Sequence, residues 1–139
     1  MSVSRREFVA AVIAAGATGG IASSAQSTHE NGHKKYAPVY VVATITVKQG
    51  AREKFATIFK DNVPNVLAEK GCIFYEPVVD MDSGIAAQAA LRPDVMVVME
   101  KWESLDALLT HLDAPHMHTY REKVKGLVEN VNLQVLESA

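Results

Sequence analysis

Apolar residues alternate along 39–47, with Val39, Val41, Ala43, Ile45 and Val47 on one face and Tyr40, Val42, Thr44 and Thr46 on the other. A two-residue period of β-branched side chains predicts a strand. Because neither face is charged, the strand is expected to be covered on both sides. Past Gly50 the period changes. Phe55, Ile58, Phe59, Val63, Val66 and Leu67 recur at helical spacing and predict a first helix over 51–69. Pro64 lies inside it and removes one backbone donor, so a kink or restart near Val63 is expected. Gly71 is placed to end this helix in the left-handed conformation. Residues 72–80 read as a second strand, with Pro77 marking an edge position or a bulge. The connection 81–94 is long for a hairpin, and an extended hairpin is favoured over a lid. The apolar run 95–99 has the length of a buried third strand and stops at Glu100, Lys101 and Trp102.

The stretch from Glu100 to Tyr120 carries the clearest helix signals. Ser104 suits an N-cap, and Asp106 suits the positive end of a helix dipole. Leu105, Leu108, Leu109 and Leu112 then form one apolar face. Asp113, Ala114 and Pro115 end this helix, and the proline opens another that Met117, Tyr120 and Val124 continue up to Gly126. On this count His111 flanks the leucine face and His116 flanks Tyr120, both at the border between core and solvent, where an imidazole can meet a ligand and still titrate near neutral pH. The simpler reading is that both are border residues with no chemistry. Val131, Leu133 and Val135 alternate as a fourth strand. The order β α β β α(α) β is that of an α+β, ferredoxin-like domain, a four-stranded antiparallel sheet with helices on one face. An uncharged second face on the first strand argues that another copy of the chain covers it by two-fold packing.

Composition narrows the function. The chain has 139 residues, 48% hydrophobic and 22% charged, as expected of one globular domain. A net charge of -2 leaves no electrostatic footprint for nucleic acid or an anionic membrane. The single cysteine, Cys72, excludes an internal disulfide and reads as a small core hydrophobe. At the N-terminus, Arg5 and Arg6 before Phe8 match a twin-arginine export signal, followed by an Ala/Gly-rich stretch too short to span a bilayer. Cleavage after Ala25 is expected, giving a signal peptide over 1–25, a flexible tail over 26–37 and the domain over 38–139, with a periplasmic or secreted product.

Four segments in order resemble a known family. They are the first strand running into Gly50, the REKF that opens helix one, Gly71 to Glu76 reading GCIFYE, and Glu100 to Met117 reading EKWESLDALLTHLDAPHM. Together they are similar to the antibiotic biosynthesis monooxygenase domain, and to its quinol monooxygenase subgroup. The resemblance implies a dimeric α+β barrel that oxidises quinols or polycyclic phenols with dioxygen and needs no cofactor or metal. It also implies that His111 lies in the pocket.

A phenol, once deprotonated, can pass an electron to dioxygen directly, so such a site needs a proton acceptor and a pocket that excludes water. His111 is the candidate acceptor. Phe55, Phe59, Tyr75, Trp102 and His116 are candidate substrate contacts, the aromatic ones equally at home as core. Glu100 can orient a histidine or serve structure alone. Relatives that degrade haem carry an asparagine where this chain has Ala43 and a tryptophan where it has His111, so haem degradation is disfavoured. Two further readings remain: a non-catalytic barrel that binds a small ligand or serves a stress response, and, ranked last, a metal site built from His111, His116 and His118.

Overall fold

A computed structural model describes residues 37–139. The expected export segment, 1–25, and all but the last residue of the expected tail lie outside the described residues. The elements are β1 (Val39–Val47), α1 (Arg52–Leu67), β2 (Cys72–Val78), β3 (Val95–Trp102), α2 (Leu105–Leu112), α3 (Pro115–Val124) and β4 (Val128–Leu136). All strands pair antiparallel in the order β2-β3-β1-β4, which gives the expected α+β, ferredoxin-like topology.

The two-residue period decides what each face of the sheet meets. Val41, Ala43 and Ile45 of β1 stand opposite Glu100, Val98 and Met96 of β3, and all six are buried. Phe55, Phe59 and Val66 of α1, Leu108 of α2, and Met117 and Val124 of α3 join them in one core. Burying a side chain of this size contributes about 1.5–3 kcal/mol, so the helices are held to this face by their apolar stripes. The opposite face carries Tyr40, Val42, Thr44 and Thr46, all only partly buried. Pro77 lies on β2, an edge strand, and the β2–β3 pairing slips between Cys72 and Phe74. The edge position suits a residue with no N–H to donate, while the slip lies away from Pro77, which pairs in register with Val98.

The structure departs from the expected first helix in two ways. Helix α1 runs unbroken past Pro64, which lies on its exposed side, and it ends at Leu67 rather than 69. Leu67 is itself 53% exposed, so the apolar stripe is narrower than the sequence period suggests. The N–H groups of Ala68 and Glu69 close the last turn on the carbonyls of Pro64 and Val66, and Gly71 follows at φ +88°. A Cβ on Gly71 would lie 2.7 Å from the Ala107 Cβ, so glycine is what lets this corner sit against α2. The corner thereby carries Glu69 toward α2 and α3.

The 81–94 connection is an irregular loop with no strand pairing of its own rather than the expected extended hairpin, exposed from 81 to 93. Arg92 holds its two ends together by donating to both carboxylate oxygens of Asp80, at 2.7 and 2.9 Å. That contact keeps the Asp80 carboxyl down at about 2.

Candidate functional site

Among the described residues, two polar side chains are buried in the core, His111 and Glu100. A buried polar group must be paired or it destabilises the fold, so their partners define the site.

Ser104 caps α2 by accepting the Ala107 N–H at 3.1 Å, as its position predicts. The helix then docks on Leu108 and His111, while Leu105 turns outward at 39% exposure. His111 is therefore 1% exposed rather than a border residue. The inward direction falls between positions three apart in sequence, instead of at the centre of the leucine face. Its Nδ1 donates to Glu69, 3.0 Å from Oε1 and 3.2 Å from Oε2. A carboxylate can only accept, so the neutral ring keeps its proton on Nδ1 and its lone pair on Nε2. Burial pulls the His111 pKa down, against a smaller upward pull from Glu69. The ring is thus a neutral base at neutral pH.

The same Glu69 oxygen meets His116. Pro115 opens α3, and His116 Nδ1 donates to Asn62 Oδ1 at 3.1 Å, an oxygen that also accepts from Asn65. His116 Nε2 lies 2.6 Å from Glu69 Oε1, out of line for a hydrogen bond, and that nitrogen is buried without a hydrogen-bond partner. Two imidazoles from two helices thus flank one carboxylate.

The aromatic candidates form a continuous set around this centre. Trp102 lies 4.6 Å from the His111 ring, and Tyr75 meets that ring edge-on at 5.5 Å. Phe59 stacks on Tyr75 and meets Tyr120 edge-on, and Phe55 lies 6.0 Å from Phe59. Phe55, Phe59, Tyr75 and Trp102 all belong to the core, with Tyr75 and Trp102 as the pair that touches His111. Glu100 accepts from the Trp102 indole N–H at 2.8 Å. Burial raises its carboxyl to about 7, and nearby Glu69 adds to the rise. Burial also raises Tyr75 far above the ordinary phenol range and lifts the Cys72 thiol to about 11, so neither ionises at neutral pH.

His118 faces away from this centre and pairs with Asp113 at 3.1 Å, with both side chains 57% exposed. It does not converge with His111 and His116. Among the described residues no group of three or more His, Cys, Asp or Glu side chains has the geometry to hold a metal ion.

Sequence periodicity leaves out Glu69. One signal was available, since a glutamate just past a helix C-terminus opposes the helix dipole and needs compensation from elsewhere. Which group compensates it depends on α2 and α3, 42 and 47 residues further along the chain.

Comparison with known proteins bears on this geometry. The family model described as antibiotic biosynthesis monooxygenase matches residues 38–123. A protein of Escherichia coli named probable quinol monooxygenase YgiN is 40% identical over 99 residues, covering 70% of this chain and 94% of that one. Among solved structures, SnoaB, a cofactor-independent oxygenase from Streptomyces nogalater, superposes with a TM-score of 0.61 at 16% identity over 74% of this chain and 94% of its own. A conserved protein from Methanosarcina mazei superposes with a TM-score of 0.64 at 18% identity over 76% and 96%. At these identities the two structures show a shared fold.

Proposed function

The chain belongs to the antibiotic biosynthesis monooxygenase family, and from that premise we propose that it oxidises a quinol or polycyclic phenol with dioxygen, using no metal or organic cofactor, with His111 as the proton acceptor. The observation that carries this reading is the buried His111 ring between Tyr75 and Trp102, its Nδ1 held by Glu69. Glu69 acts as a positioning residue. It fixes the tautomer and leaves Nε2 free to take a phenolic proton, the role a carboxylate plays behind histidine in hydrolytic triads. The phenolate is electron-rich enough to reduce dioxygen directly, so the protein supplies a base and a dry enclosure. The similarity to a probable quinol monooxygenase supports the substrate class.

Oxygen uptake by the purified protein with a panel of quinols and naphthols tests the reading. Uptake that a chelator leaves unchanged is the expected result. Absence of uptake across the panel overturns it in favour of a ligand-binding barrel.

The working unit we propose is a homodimer formed through the outer sheet face. That face carries Val42 and Val97 on the two central strands and Val78 on the β2 edge, with Phe74, Met99 and Leu136 each more than 40% exposed in one chain. Exposed apolar surface of this kind marks a contact site. An obligate interface buries upwards of about 2,000 Å² in total. Light scattering at micromolar concentration should give twice the chain mass, and a monomer mass would contradict the assembly.

Export to the periplasm is proposed from the paired arginines. Arg5→Lys with Arg6→Lys should retain the precursor in the cytoplasm, because the Ala/Gly-rich core is a poor substrate for the general secretion route. Unchanged processing of the double variant would exclude twin-arginine export.

A further inference from the structure

The reaction just described leaves Glu100 without a role. The alternation of β3 places this carboxyl on the helix-facing side between Val98 and Trp102, opposite Tyr75 on β2 and Val41 on β1. One indole links it to the proposed base, since Trp102 donates its N–H to Glu100 Oε2 at 2.8 Å while its rings lie 4.6 Å from the His111 ring. Tyr75 neighbours both groups without a hydrogen bond to either, opposite Glu100 in register and edge-on to His111. Base and carboxyl therefore share two aromatic neighbours. An amide could accept the indole N–H equally well, whereas a carboxyl adds to this position a proton that can be transferred.

We propose that Glu100 is a second catalytic residue, giving a proton to the peroxide formed from dioxygen and taking the ring C–H proton when the O–O bond breaks. This deepens the oxygenase reading and rests on it. His111 first takes the phenolic O–H proton. The phenolate carbon then joins dioxygen, forming a C–O bond and a peroxide anion, and Glu100 protonates its terminal oxygen to give a hydroperoxide. The ring C–H proton next leaves to the Glu100 carboxylate as the carbonyl forms. The O–O bond breaks, and the departing hydroxide takes the proton held by His111 and leaves as water. Substrate and dioxygen become quinone and water, the substrate losing the four electrons that dioxygen gains, and both side chains end as they began.

Each step needs Glu100 protonated and His111 neutral at the start. The surroundings favour that combination, because burial pushes the carboxyl up to about 7 and the imidazole down. Pairs of groups displaced in opposite directions are a signature of acid and base assignment. The titratable groups facing Glu100 are Cys72 and Tyr75 from β2 and Glu69 from the corner after α1, while His111 of α2 is reached through the Trp102 ring. Of these, Cys72 and Tyr75 stay neutral through pH 7, while Glu69 acts to raise Glu100 further.

Glu100→Gln tests the proposal, since the amide oxygen can still accept from the indole while the side chain no longer transfers a proton. Wild-type activity should fall on the alkaline side of pH about 7. In the variant that limb should disappear, and kcat at the optimum should drop roughly 100-fold or more with little change in KM. A Glu100→Gln protein that keeps wild-type kcat, or that loses activity while retaining the limb, overturns the role. So does a wild-type profile flat through pH 9, a measurement that needs no variant. Wild-type protein that consumes no oxygen with any quinol or naphthol overturns the oxygenase reading and this step with it, whereas active wild type with an unaffected variant overturns this step alone.

Discussion

His111→Ala is expected to lower turnover with a quinol or naphthol by roughly 100- to 10,000-fold, the usual contribution of a positioned base. Stability should fall as well. The ring is 1% exposed and packs on Trp102, and its loss leaves the inward oxygen of Glu69 with only the misaligned contact to His116. Losing a hydrogen bond and the packing of a buried ring costs about 0.5–3 kcal/mol, so activity is to be compared per folded protein, well below the melting transition. His118→Ala is the internal control, because that side chain is 57% exposed and pairs only with Asp113. It should keep both turnover and melting point. Equal losses in the two variants, or a folded His111→Ala protein with wild-type turnover, would show that His111 is structural.

Between pH 5 and pH 8 the wild-type protein is expected to lose about 2.5 kcal/mol of stability through Glu100, a loss that a Glu100→Gln variant does not show. The carboxyl rises from 4.5 in the unfolded chain to about 7 in the fold. Each unit corresponds to about 1.4 kcal/mol. A raised pKa means that the folded state holds the proton more tightly, so this contribution is complete below pH 4.5 and is lost as pH climbs through 7. His111 acts with the opposite sign. Its folded pKa lies below 6.5, so the stability linked to its neutral form is present above 6.5 and is lost as pH falls through the folded value. Denaturant titrations at equal protein concentration isolate the carboxyl by difference, and the variant should show only the imidazole's slope. Parallel curves for the two proteins would mean that Glu100 ionises freely in the fold.

Much of this architecture is legible along the chain. The alternation of β1, the cap at Ser104, the proline opening α3 and the glycine turn at Gly71 are local features, written in residues that touch one another within a turn or a strand period. They determined the order of elements and hence the α+β topology. Four matching segments in sequence carried the family resemblance, and the leucine repeat marked His111 as a candidate.

The site itself depended on how the elements dock. Whether His111 sits at a border or in the core is decided by a rotation of α2 smaller than one residue's 100°, and in the fold α2 docks with both Leu108 and His111 turned inward. Glu69 became its partner because α1 stops at Leu67, two residues early, and because Gly71 alone permits the corner to approach α2. The direction in which Glu100 and His111 are displaced from their ordinary titration follows from desolvation, which depends on neighbours from distant parts of the chain. Periodicity along a sequence specifies which face of each element turns inward; which polar groups meet there is a property of the assembled layers.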